Sequence, residues 1–151
     1  MKAIAIIAAV TGFAACTGTD SHPDHPPSQV TFEGNDAILH VEVADTPDAR
    51  RQGMMGLQDL PTDQGMAFVF DRPVESTFWM KDTVIPLTIA FVDQEGRVIG
   101  VRDMEPCWAE PCPRYGVEEP YVLAVEANLG WFRDHEVGPG DRAELKVMAY
   151  L

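Results

Sequence analysis

The chain reads as a mainly β domain of the α+β class, a compact barrel-like antiparallel sheet with two short helices. Three observations predict it. Short apolar stretches either alternate with polar residues or are apolar throughout, turn residues recur about every ten positions, and helix-start chemistry is confined to a few places. The folded domain is expected to span residues 36–151.

Its first strand is read at residues 38–44, where Leu39, Val41 and Val43 share one apolar face and Ile38, His40 and Glu42 share the other. Thr46-Pro47 then announces a helix, with Thr46 as N-cap and Pro47 at the first helical position, where its missing N–H costs nothing. That helix should run toward Leu57, kept short by Gly53 and Gly56. Residues 65–70 form the next strand, carrying Met66, Phe68 and Phe70 on one face, and Asp71-Arg72-Pro73 reads as a turn into a strand at 76–80. The clearest hairpin is 87–92, the turn Asp93-Gln94-Glu95-Gly96, and 97–101. Its first arm is apolar on both faces and is predicted to be a central strand. A strand at 121–126, one or two helical turns at 129–135, the Gly138-Pro139-Gly140-Asp141 turn and an alternating strand at 142–150 complete the domain.

Residues 3–15 follow Lys2 as an apolar run that is too short for a bilayer span of roughly 20 residues but fits the core of an export signal. Phe13-Ala14-Ala15-Cys16 reads as a lipobox, so residues 1–15 are expected to be a signal peptide and Cys16 the acylated N-terminus of the mature protein. Such a thiol with two or more acyl chains holds a protein at a lipid surface nearly permanently. Residues 16–35, rich in Ser, Thr, Pro, Asp and His, read as the anchor and a flexible tether, with His22 and His25 solvated in it. Thr17 follows the cysteine where an aspartate would retain the protein elsewhere; by resemblance to bacterial lipoproteins this favours the outer membrane, facing the periplasm. The alternative is an ordinary signal cleaved nearby and a secreted periplasmic protein.

The roughly 135 residues left suffice for one hydrophobic core, and a monomer is expected. The formal net charge is −13, from 11 basic and 24 acidic residues. Such a surface repels nucleic acid, whose binding rests on neutralising phosphates. Besides Cys16 the chain has Cys107 and Cys112, in a proline-rich loop; in an oxidising compartment this pair reads as a disulfide closing a short local ring. Four intervening residues separate them where redox pairs usually have two, and no neighbouring ligands complete a zinc site.

The stretch Arg50-Arg51-Gln52-Gly53-Met54-Met55-Gly56-Leu57, the strand from Gly65 to Phe70, the run Phe78-Trp79-Met80-Lys81-Asp82-Thr83, and Ile85-Pro86-Leu87 followed by Ile89-Ala90-Phe91 together resemble the family called domain of unknown function 192. Val125-Glu126, Gly130-Trp131 and Gly140-Asp141 are similar to its later signatures, so the resemblance runs from about Ala37 to the end of the chain. It implies a small, mainly β domain, often exported in bacteria, with no activity attached. Two positions depart from the family pattern: Asp82 stands where asparagine is usual, and Thr88 where aspartate is usual.

An extended 78–82 segment turns Phe78 and Met80 inward and Trp79 and Lys81 outward, so an indole beside Lys81, Asp82 and Thr83 is the candidate binding surface. Arg50 and Glu126 are added to that candidate set. Packing is the competing reading, with Trp79 closing the barrel end and Asp82-Thr83 capping a turn. Carboxylate-dependent hydrolysis is the enzymatic alternative, using Asp82, Glu126 and Asp141 with His135 as a base and Arg50 holding an anion. A third class is copper handling by Met54, Met55, Met66, Met80, Met104 and Met148 beside Trp79, although methionine is more often core filler. The sequence therefore supports a lipid-anchored envelope protein that needs no cofactor and whose small domain binds a peptide, glycan or partner protein without turnover.

Overall fold

The computed structural model describes residues 28–148. Seven strands form one sheet: β1 (Ser28–Phe32), β2 (Ile38–Ala44), β3 (Gln64–Val74), β4 (Leu87–Val92), β5 (Val98–Met104), β6 (Tyr121–Asn128) and β7 (Ala143–Lys146), in the order β5-β4-β6-β3-β2-β1-β7. Two short helices accompany them, α1 (Pro47–Gln52) and α2 (Trp131–Asp134). The sheet curls until its two edges touch at one corner. There Val98 N–H donates to the Asp141 carbonyl at 2.8 Å, Ala143 N–H to Gly96 at 2.8 Å, and Arg97 bridges Arg142.

Curling creates two apolar layers. Val30 of β1, Leu39 of β2, Ala90 of β4, Val98 of β5 and Phe132 of α2 share one cluster; only the inside of a curl brings strands from distant places in the order together. The outer layer holds Phe68, Met80, Leu87, Ile89, Phe91, Met104 and Tyr121 and is roofed by α1 and the segments 75–86 and 105–117. Strand β4 lies between β5 and β6 with all six residues buried, as its two apolar faces predict.

The expected hairpin is β4–β5, and its turn is fixed by Asp93: its carboxylate accepts from Arg97 N–H at 2.8 Å, while Gly96 takes a φ of +80° that suits glycine. Helix α1 starts as predicted, Thr46 Oγ1 accepting from Ala49 N–H at 3.1 Å. It stops at Gln52, short of Leu57, because Gly53 leaves helical space at φ +48°.

Four readings are corrected. Residues 28–32, expected in the tether, are β1, a strand seated between β2 and β7 with Ser28, Val30 and Phe32 buried; its short alternation is masked in the sequence by polar and proline neighbours. The folded unit therefore starts at Ser28 rather than near Asp36. The β2–β3 pair is parallel within an otherwise antiparallel sheet, and α1 lies in the long crossover that a parallel pair requires. Asp71-Arg72-Pro73 is not a turn: β3 continues through it to Val74 past an irregularity in register, where Pro73 has no ladder bond to lose. Residues 76–80 contribute only single bridges, Phe78 to Tyr115 and Lys81 nearby to Cys107, because the apolar outer layer draws them over the sheet instead of into it.

Strand β7 ends at Lys146, with Val147 beyond it 61% exposed. β1 and β7 pair antiparallel, and Met148 N–H reaches Ser28 Oγ at 3.3 Å. Cys16, His22 and His25 lie outside the described residues.

Candidate functional site

The segment after β3 alternates as its sequence predicts. Phe78 and Met80 enter the outer core, Phe78 edge-on to Phe68 at 5.0 Å and Met80 fully buried, while Trp79 and Lys81 stay out of it, both half-buried. Two cations converge on the Trp79 ring: the Arg114 guanidinium stands 4.2 Å and the Lys81 ammonium 5.3 Å from its centroid.

A second segment completes this surface. Phe78 and Tyr115 exchange backbone hydrogen bonds at 2.8 and 2.9 Å, and Cys107 N–H points to the Met80 carbonyl at 3.4 Å, so 105–115 is stitched along 78–81. Cys107 and Cys112 form the expected disulfide, with Cα atoms 5.7 Å apart. The ring they close carries Glu110, whose carboxylate meets Lys81 Nζ at 2.8 Å. That hydrogen bond, and behind it the attraction of the two charges, raises the Lys81 pKa and lowers that of Glu110. The same ring lifts Trp108 into solvent at 78% exposure, the highest among the large apolar side chains exposed in the described residues.

The other sequence candidates hold structural posts. Asp82 adopts φ +56° and its carbonyl accepts from Gly56 N–H at 2.9 Å, while Thr83 is buried and its N–H closes a turn onto Met80 at 3.2 Å. Arg50 donates to the carbonyls of Asp45 and Val69 at 2.6 and 2.9 Å and lies over Phe70, tying α1 to β3. Glu126 sits on β6 opposite Met66 and Ile89, 5% exposed, and burial pushes its carboxyl up to about 8. Asp141 accepts from Gly138 N–H at 2.7 Å within its turn. Thr88 donates to Asp103 at 2.7 Å and accepts from Gly130 N–H at 2.8 Å, so its partners are a cross-strand carboxylate and the start of α2 rather than Asp82.

His135 stacks on Trp131 at 4.1 Å and its Nδ1 lies 2.7 Å from the Trp131 carbonyl; the Trp131 indole N–H donates to Asp63 at 3.0 Å. A wide cleft of about 780 Å³ opens beside them, lined also by Asp36 and His40. Met54, Met66, Met80 and Met104 pack in the outer core among Phe68 and Phe91, which is filler chemistry. Among the described residues no group of three or more His, Cys, Asp or Glu side chains is placed to hold a metal ion.

Of the sequence candidates, the structure thus brings Trp79 and Lys81 together, and it adds Trp108, Glu110 and Arg114. These three were legible only indirectly, through the Cys107/Cys112 spacing that makes their loop a rigid element.

No curated protein matches the chain. Two solved structures share its fold: a candidate transcription regulator from Sinorhizobium meliloti, 30% identical with a TM-score of 0.71 over 80% of this chain and 95% of that one, and a protein of unknown function from Novosphingobium aromaticivorans, 30% identical with a TM-score of 0.70 over 78% and 83%. The family model described as uncharacterized ACR, DUF192, matches residues 28–145, from the first strand almost to the end of the last, and the chain belongs to that family.

Proposed function

We propose that this protein is a lipid-anchored envelope component, held by an acylated Cys16, whose β domain binds an envelope glycan without turning it over. Trp108 carries the reading: a 78% exposed indole on a disulfide-closed ring that is stitched to the body of the domain. A large apolar ring kept in water on a rigid support suits stacking on a sugar face better than the groove or sheet edge that peptides use. The disulfide suits an oxidising compartment outside the cytoplasm. The carboxylates named for hydrolysis are dispersed: Glu126 is buried in β6, Asp141 is bonded within its own turn and Asp82 stands beside Lys81, which favours binding over catalysis. Regulation of transcription by DNA binding finds no support in a chain of net charge −13.

Trp108→Ala is expected to cut retention on purified cell-wall glycan at least tenfold while leaving the melting temperature within a few degrees, since exposed substitutions change stability by about 0.5 kcal/mol or less. Equal retention of the variant removes the site. Fatty-acid labelling that is lost in Cys16→Ser tests the anchor; an unlabelled wild-type protein removes it.

A further inference from the structure

Resting on that glycan reading, we infer that the ligand carries a carboxylate as well as a sugar ring, and that Glu110 occupies the carboxylate's place in the free protein. In a strongly acidic chain, Lys81 and Arg114 converge on one indole. One carboxylate, Glu110, is in direct contact with Lys81, and Asp82 acts on it from farther off. Glu110 meets Lys81 at 2.8 Å and feels Arg114 only at longer range, and among the described residues no ion pair ends on Arg114, so that cation lacks a carboxylate in direct contact.

The pairing is also easily exchanged. Lys81 and Glu110 are 40% and 61% exposed, and ion pairs in that setting are weakly held. A planar guanidinium takes a carboxylate in a two-pronged grip, so a ligand carboxylate that displaces Glu110 from Lys81 can engage Arg114 as well, which Glu110 does only at longer range. Because Glu110 and Trp108 ride on the same ring, the free indole stands on the short element whose carboxylate faces the anion subsite. An acidic amino sugar offers a ring face to the one and a carboxylate to the other.

Two disaccharides test this. One is N-acetylglucosaminyl-N-acetylmuramic acid, whose lactyl ether bears the carboxylate; the other is N,N′-diacetylchitobiose, which has the same rings without it. Titration of the intact domain by calorimetry is expected to show at least tenfold tighter binding of the acidic sugar. Arg114→Ala should erase that preference. Glu110→Gln should strengthen binding of the acidic sugar several-fold more than that of the neutral one. Equal affinities for the two sugars, or a Glu110→Gln variant that binds both as the wild type does, overturn the carboxylate inference and leave the glycan reading standing. If neither sugar binds, the glycan reading itself falls, and binding of a polyglutamate peptide instead would assign the patch to acidic peptides.

Discussion

Glu126→Gln should make the protein more stable than the wild type at pH 9 and little different at pH 4. Glu126 is 5% exposed on β6, and burial lifts its carboxyl from the ordinary 4.5 to about 8. Below pH 4.5 the group is protonated folded and unfolded alike, and it contributes nothing to the pH dependence. Between 4.5 and 8 the unfolded chain loses the proton while the folded one keeps it, so stability falls as pH rises, by roughly 1.4 kcal/mol per unit. Above about pH 8 both forms are ionised and the penalty stays at its ceiling of roughly 5 kcal/mol, the free energy of a shift that size. A neutral amide of the same shape has no such slope. Urea midpoints at pH 4, 6.5 and 9 check it; parallel wild-type and variant profiles would show that the carboxylate is ionised in the fold at neutral pH.

The second large effect lies on the neighbouring strand. At Gly65 on β3 an added Cβ would overlap the Glu126 carbonyl oxygen and come 3.0 Å from Leu39 Cδ2, so backbone as well as side chain would have to move. The β3–β6 ladder cannot open there without disturbing both apolar layers, since its two faces supply Ala67 to the inner one and Phe68 to the outer. Gly65→Ala is expected to cost about 3 kcal/mol or more, lowering the melting temperature by roughly 10 °C or preventing folding. Gly138→Ala, with nothing within 4 Å of its added carbon, is the control and should be near neutral. A Gly65→Ala protein that melts with the wild type would show that β3 and β6 approach less closely than described.

How far the sequence discloses the fold depends on how local each signal is. Thr46-Pro47 and Asp93 to Gly96 write their structures into a few neighbouring atoms, and both form as read. Strand β4 announces its central place through two apolar faces. The parallel partnership of β2 and β3 has no local signature; it follows from where α1 packs, which only the assembled layers decide. Pro73 misleads because proline stops a paired strand, whereas here it falls in the register irregularity between Val69 and Val74, after which the ladder resumes at Val74. The site divides in the same way. Alternation places Trp79 and Lys81 outward without further help, but Glu110 and Arg114 reach them from some thirty positions along the chain, across a stitch no pattern in either segment records. Glu126 looks in sequence like any acid at the end of a strand, and only the neighbours Met66 and Ile89 reveal a buried one.

Because β1 and β7 run side by side and Met148 reaches back to Ser28, the domain begins and finishes at one spot. A short peptide could join those ends and new ones could be cut between the exposed Gln94 and Glu95, giving a circular permutant that keeps every strand neighbour. The same adjacency means that a reporter attached after Met148 would leave the domain beside Ser28, at the edge where β1 and β7 pair.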